Sequence, residues 1–118
     1  MRIRLSGSVK IFSLEPSLVI ERLKARAQAL KKEEQKVLGV YLFGSLARGE
    51  AVPGSDADML VVLKDSGKPL LDRVADFMDF FAGLGVSVDI FPYTVSELKE
   101  RKNDPFIKEA LKKMIRLA

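Results

Sequence analysis

Residues 42–63, with the sequence LFGSLARGEAVPGSDADMLVVL, carry most of the information about the fold. An apolar segment runs into the pair Gly44-Ser45, and ten residues separate that pair from Asp56, which is followed after one residue by Asp58. The apolar residues on both sides predict two strands, and the glycine predicts a tight turn from the first strand into a short helix. The two acids therefore stand at the beginning of the second predicted strand.

Asp56 and Asp58 are the first candidates for chemistry. A strand sends alternate side chains to opposite faces, so carboxylates at positions i and i+2 point the same way. Two like charges this close need a cation, and carboxylates without histidine or cysteine select Mg²⁺, or Mn²⁺ in its place. A third acid, Asp89, lies in the alternating segment VSVDIF at 86–91, which predicts another strand. If the two strands are neighbours, the three carboxylates can hold two Mg²⁺ ions for an in-line displacement at phosphorus.

The turn before the acids is a candidate anion site. Backbone N–H groups and the positive end of a helix dipole at Gly44-Ser45 can bind phosphate, and the Ser45 hydroxyl can donate a hydrogen bond. Arg48 lies about one helical turn further on and could reach the same anion, although it could also be a solvated arginine of the helix surface. Ser55 is a further nucleotide-binding candidate, with an ordinary loop hydroxyl as the alternative. The turn is not a P-loop, because Glu50 stands where that motif has lysine.

Composition excludes several kinds of site. The 118-residue chain has no histidine and no cysteine, which excludes Ser-His-Asp and Cys-His catalysis, histidine or cysteine zinc sites and thiol redox chemistry. The length suits one domain, residues 1–118. No apolar run is long enough to span a bilayer and no signal peptide is visible, so we expect a cytoplasmic protein without a membrane partner.

The formal net charge of +4 is unevenly distributed. Acidic residues dominate the middle of the chain, whereas Lys and Arg dominate both flanks and could attract an anion such as ATP. Aromatic residues do not alternate with the basic ones, so a nucleic-acid partner is the less favoured alternative. Residues 1–14 alternate like a strand or hairpin extension, and such an edge could also serve self-association into a homo-oligomer.

Hydrophobic periodicity predicts a small mixed β-sheet backed by helices, an α/β fold in the looser sense that includes α+β. Pro16 begins a first amphipathic helix that runs to about Lys32, and a second helix begins near Leu70 and ends at Gly83 and Gly85. Strands are predicted at 37–43 and 57–63 and around Asp89, with a short helix near 94–101. A final helix is predicted near 105–116, and its inward residues would be Phe106, Ile107, Ala110, Leu111, Met114 and Ile115.

These residues resemble the signature of the DNA polymerase β-like nucleotidyltransferase superfamily, which is Gly-Ser, ten residues, then Asp-x-Asp. The resemblance is strongest to the minimal nucleotidyltransferases. It covers about residues 17–117, since Asp89 and the segment NDPFI at 103–107 are also similar to that family. The resemblance implies a polymerase β-like core and the transfer of a nucleoside monophosphate, with ATP as the expected donor, to a hydroxyl acceptor.

The resemblance also implies a role for each residue of the motif. Gly44 and Ser45 would grip the triphosphate. Asp56 and Asp58 would bind the Mg²⁺ ion that neutralises the leaving pyrophosphate, and all three acids would bind the ion that activates the acceptor. Asp89, which would touch only that second ion, would accept the proton of the acceptor hydroxyl.

Members of this family are often paired with a HEPN-domain protein in a toxin–antitoxin system, and some place AMP on a tyrosine of that partner. The resemblance therefore implies an antitoxin whose acceptor is a HEPN-domain protein. A non-catalytic antitoxin that neutralises its partner by binding is the first alternative. Transfer of a nucleotide to a small molecule or to an RNA end is the second.

Overall fold

A computed structural model describes residues 15–52 and 54–118, so the predicted extension at 1–14 lies outside the described residues. In chain order the elements are α1 (Pro16–Glu33), β1 (Val37–Phe43), α2 (Gly44–Arg48), β2 (Ala57–Leu63), α3 (Leu70–Met78), a 3-10 turn (Asp79–Phe81), β3 (Val88–Thr94), α4 (Val95–Glu100), α5 (Pro105–Lys112) and β4 (Ile115–Arg116). In this part of the chain no helix is long and apolar enough to cross a membrane.

The four strands form one mixed sheet in the order β3-β2-β1-β4. Strand β1 pairs antiparallel with β2 and with β4, whereas β2 and β3 are parallel and are connected through α3. A parallel pair needs such a crossover, because a tight hairpin can join only antiparallel strands. The predicted class, a small mixed sheet with helices, is confirmed.

The two faces of the sheet bury different apolar clusters. Helix α1 covers the larger cluster with a stripe at helical spacing that consists of Val19, Leu23, Ala27 and Leu30. Alternate residues of β2 belong to the same cluster, namely Ala57, Met59, Val61 and Leu63. The smaller cluster includes Phe43, Leu60, Tyr93, Ile107 and Ala110. Because Asp58 alternates with the β2 residues of the larger cluster, it lies on the face of the smaller one.

The predicted final helix was too long. Helix α5 ends at Lys112, and Ile115–Arg116 forms β4 against β1. The otherwise open edge of β1 explains the difference, because Leu117 N–H donates to the carbonyl of Val40 and Val40 N–H donates to that of Ala118. A continued helix could not make these bonds.

Two residues of α5 that were predicted to face inward do not. Phe106 is 46% exposed and Leu111 is 43% exposed, whereas Ile107 and Ala110 are buried as predicted. The helix is short and rests on the sheet along a narrow stripe, so only residues at the centre of that stripe are covered.

Helix α3 also ends earlier than the predicted glycine stop, at Met78, and the chain continues as the 3-10 turn. Arg26 of α1 donates from Nη1 to the carbonyls of Phe80 (3.2 Å) and Ala82 (3.0 Å). These bonds satisfy carbonyl groups that have no partner where a helix ends. A residue of a distant helix therefore stabilises the early end of α3.

Asp104 caps the first turn of α5. Its Oδ1 accepts hydrogen bonds from Phe106 N–H (2.8 Å) and Ile107 N–H (3.4 Å), and Pro105 occupies the first helical position. We expect Asp104→Ala to lower the free energy of unfolding by about 1 kcal/mol, and Asp104→Asn to lower it by much less, because asparagine keeps the capping oxygen. Chemical denaturation of both variants checks this. An equal loss in both would mean that the charge, and not the cap, is what stabilises α5.

Candidate active site

The predicted acids come together at one end of the sheet. In the strand register Asp58 lies opposite Phe43 of β1 on one side and opposite Asp89 of β3 on the other. Neighbouring strands are about 4.8 Å apart, and residues opposite one another share a face. Asp56 directly precedes β2. The strand of Asp89 therefore lies beside that of Asp58, as the predicted cluster of three carboxylates requires.

The charges of the three acids influence one another. The pKa of Asp58 is raised above its ordinary value, first by partial burial and then by the negative charges of Asp89 and Asp56. The positive charge of Arg48 acts in the opposite direction. Asp56 and Asp89 are exposed, so Asp58 is the least exposed member of the group. A cation bound among them would remove the repulsion that raises this pKa.

Gly44 brings the turn directly against Asp58. It is the first residue of α2 and has a φ of 78°, in the left-handed region that favours glycine. A β-carbon at this position would overlap the Oδ2 atom of Asp58. Glycine is therefore required both by the backbone conformation and by the space that the carboxylate occupies.

The other predicted nucleotide-binding residues lie around the same turn. Ser45 is the second residue of α2 and is partly exposed. Arg48 ends α2, and its Nε donates to Oε1 of Glu50 at 2.8 Å, which orients the guanidinium group. Ser55 accepts a hydrogen bond from Val52 N–H on its Oγ at 2.9 Å. The Ser55 oxygen thus holds the loop before β2, and this bond does not use its hydroxyl proton.

The donor set suits a hard divalent cation. All three acids offer carboxylate oxygens, which are the ligands that Mg²⁺ prefers. Between residues 15 and 118, leaving out residue 53, no three Asp, Glu, His or Cys side chains lie close enough together, as they stand, to hold a metal ion. Asp56 and Asp89 are exposed and Asp58 is partly exposed, so a cation from solvent has access to these carboxylates.

Comparison with known proteins identifies the family. A family model described as the nucleotidyltransferase domain matches residues 13–117, which is almost the whole chain. The chain belongs to the nucleotidyltransferase domain family. The matched residues include the Gly-Ser turn and the strands that carry Asp58 and Asp89.

Individual relatives agree with this assignment. A solved structure provisionally named a minimal nucleotidyltransferase is 34% identical, covers 81% of this chain and 93% of its own, and has a TM-score of 0.55. A protein of Methanocaldococcus jannaschii, provisionally named a protein adenylyltransferase, is 26% identical over 93 residues, which are 78% of this chain and 87% of that protein. A toxin–antitoxin structure with AMP-PNP shares the fold at 17% identity, with a TM-score of 0.50 and coverage of 89% and 73%. The chain is a nucleotidyltransferase of the minimal type.

An aromatic cluster near the acids of this nucleotidyltransferase was not predicted from the sequence. The rings of Phe43, Phe91 and Phe106 have centroids 5.2 to 5.8 Å apart. Part of the signal was present, because Phe91 follows Asp89 at strand spacing and Phe43 directly precedes the Gly-Ser turn. The third ring comes from α5, and only the tertiary structure could place it there.

Proposed function

We propose that this nucleotidyltransferase uses Mg²⁺ to transfer AMP from ATP to a hydroxyl group of a partner protein, and that it is the antitoxin of a HEPN toxin–antitoxin pair. The register of the sheet is the observation that best supports metal-dependent nucleotidyl transfer. It aligns Asp58 with Asp89 across the parallel strands and holds Asp58 directly against Gly44. A candidate metal site and a candidate phosphate site are thereby adjacent.

Two groups of residues would bind the donor. Gly44 and Ser45 would bind the outer phosphates through backbone N–H groups and the serine hydroxyl. Asp56, Asp58 and Asp89 would hold Mg²⁺. When bound there, Mg²⁺ neutralises the triphosphate and lowers the pKa of the acceptor hydroxyl.

In the transfer step the acceptor oxygen attacks the α-phosphorus and the bond to pyrophosphate breaks, so AMP stays on the acceptor and pyrophosphate leaves. Asp89 is the acid best placed to accept the hydroxyl proton, because it is exposed and lies on the edge strand β3. Arg48, oriented by Glu50, can bind the leaving pyrophosphate through its Nη groups. Positioning and charge neutralisation supply most of the rate enhancement in such a reaction.

The relatives support the proposed identity of the donor nucleotide and the proposed class of the acceptor. The relative from Methanocaldococcus jannaschii is provisionally named a protein adenylyltransferase, which supports AMP as the transferred group and a protein as the acceptor. The toxin–antitoxin fold neighbour contains AMP-PNP, an ATP analogue. The HEPN identity of the partner rests on the resemblance of the motif to antitoxin-type minimal nucleotidyltransferases.

Intact-mass measurement of the partner tests the proposal. The proposed HEPN-domain partner, taken as the protein encoded by the gene beside that of this chain, is incubated with Mg²⁺, ATP and this protein. We expect it to gain the mass of AMP with the wild type and to gain none with Asp56→Ala, because the variant lacks a metal-binding carboxylate. Asp65→Asn is the matched control, since Asp65 follows the other end of β2 and forms an exposed ion pair with Lys36 at 3.4 Å. It should transfer AMP like the wild type.

Three results would change the conclusion. Tight binding of the two proteins without any transfer by the wild type would make the chain a binding antitoxin. Transfer of AMP to RNA or to a small molecule, with none on the partner, would contradict the protein acceptor and leave nucleotidyl transfer intact. Undiminished transfer in the presence of EDTA would contradict the role of Mg²⁺.

A further inference from the structure

Phe106 is the most exposed ring of the cluster that it forms with Phe43 and Phe91. Phe43 is 6% exposed and Phe91 is half-buried, whereas Phe106 is 46% exposed. The Phe106 ring is 5.8 Å from that of Phe43, nearly perpendicular to it at 81°, and 5.2 Å from that of Phe91. Two neighbours therefore hold this ring in place while much of its surface remains open.

The open ring lies beside the row of acids. Phe43 is the cross-strand neighbour of Asp58, and Phe91 follows Asp89 by two residues on the same face, about 7 Å further along the strand. Because Phe106 contacts both phenylalanines, it lies over β2, between β1 and β3. A molecule bound at the acids can reach this ring without leaving the sheet face.

We propose that the base of the donor nucleotide stacks on Phe106. The inference rests on the proposed function, because it requires a nucleoside triphosphate at the acids. The donor is the favoured occupant, since Phe43 leads directly into the Gly-Ser turn that would hold the phosphates. Every base has a π-face that stacks on an aromatic ring.

The chemistry of the cluster also predicts whether stacking on Phe106 distinguishes one base from another. The ring neighbours of Phe106 are two phenylalanines, which offer no hydrogen bond to the edge of a base. Stacking on this surface therefore adds affinity without choosing between bases. We expect Phe106 to contribute similarly to the binding of ATP and GTP.

A fluorescent reporter tests the contact directly. The chain has no tryptophan, so Phe106→Trp places a single indole at the proposed stacking surface. We expect MgATP to quench its emission and magnesium tripolyphosphate, which lacks a base, to leave it nearly unchanged. Leu18→Trp is the matched control. Leu18 is 41% exposed on α1, on the other face of the sheet, and its emission should not respond to MgATP.

Calorimetric titration separates stacking from a structural role. Phe106→Ala and Phe106→Leu should each raise the Kd of MgATP by about tenfold or more, within the 5- to 150-fold range of roughly 1–3 kcal/mol per stacked base. Phe106→Tyr should bind MgATP like the wild type, and the Kd of tripolyphosphate should be unchanged in all variants. A leucine keeps the apolar packing but lacks the π-face, so its loss of affinity reports stacking.

The outcomes distinguish this inference from the proposed function. If the wild type binds MgATP and Phe106→Ala binds it equally well, the inference is wrong and the proposed function stands. If Phe106→Ala binds MgATP as tightly as the wild type but no longer transfers AMP, the ring contacts the acceptor and the inference is also wrong. If the wild type binds neither MgATP nor tripolyphosphate, the proposed function fails and the inference fails with it.

Discussion

Replacing Gly44 by alanine is expected to reduce nucleotidyl transfer by about 100-fold or more, as much as removal of the Asp58 carboxylate. The added β-carbon would overlap Oδ2 of Asp58, and the carboxylate is the group that can move away. Because that carboxylate lies in the centre of the acid row, its displacement separates the metal-binding oxygens from the phosphate-binding turn. Steady-state transfer of AMP, with the acceptor that the mass experiment identifies, measures the effect.

Gly49→Ala is the matched control for this experiment. Gly49 ends α2 with a φ of 74°, almost the same as that of Gly44, but apart from its chain neighbours a β-carbon there would meet no atom of the described residues within 4 Å. Both variants should lose about 1–2 kcal/mol of stability from the strained backbone, and only Gly44→Ala should lose activity. In a double-mutant cycle, Gly44→Ala should add little to the effect of Asp58→Ala. Equal activity of the two glycine variants would contradict the contact between the turn and Asp58.

The second large effect is expected at Arg73, a charged residue that the fold buries. Its side chain is only 7% exposed and forms a bidentate pair with Glu97 at 2.6 and 2.9 Å. Its Nη1 also donates to the carbonyl of Pro92 in β3 (3.0 Å), and its Nε donates to that of Lys68 (2.9 Å). Arg73→Leu removes the donor of all these bonds and leaves the Glu97 carboxylate without its ion-pair partner. We therefore expect the free energy of unfolding to fall by about 2–4 kcal/mol.

Glu97 makes this effect depend on pH. Its hydrogen bond with Arg73, helped by the backbone of Thr94 and opposed by burial, lowers the pKa of the Glu97 carboxyl from 4.5 to about 2. A carboxyl whose pKa is lower in the folded state stabilises that state fully above its unfolded pKa and loses this contribution as the pH falls. The difference in stability between the wild type and Arg73→Leu should therefore shrink as the pH falls from about 4.5 towards 2.

Urea denaturation at neutral pH and at about pH 3 measures both parts of the prediction. Asp76→Asn serves as the control, because it breaks the exposed Lys68–Asp76 pair, 2.8 Å long, and exposed pairs contribute little. Comparing the proteins at each pH removes the contributions of the other carboxyl groups that they share. Equal stability of Arg73→Leu and wild type at neutral pH, or a difference that grows on acidification, would contradict the assigned role of the pair.

Several features were predictable because they depend on neighbouring residues in the sequence. The predicted bounds of β1 and β2 match the structure, since each is a short apolar run bordered by turn residues. Pro16 begins α1 as predicted, because its fixed φ and missing N–H suit the first helical position. The spacing from the Gly-Ser turn to the two acids is likewise a property of one continuous segment.

Other features could not be predicted, because each depends on residues far apart in the chain. The pattern of α3 does not show that Arg73 is buried, since its partner Glu97 comes 24 residues later. The last residues of α5 have helical periodicity, yet Ile115–Arg116 became a strand because β1 offered an open edge. The exposure of Phe106 depends on how α5 rests against the sheet.

Local spacing and residue type were enough to predict the class of fold, the Gly-Ser turn and the acids as candidates for chemistry. Three other features follow only from the folded chain: Asp58 and Asp89 are opposite one another, Asp58 fills the space beside Gly44, and the exposed ring of Phe106 contacts that of Phe43, the cross-strand neighbour of Asp58. Strand register and helix packing bring distant segments together, and no local pattern specifies which distant residues will meet.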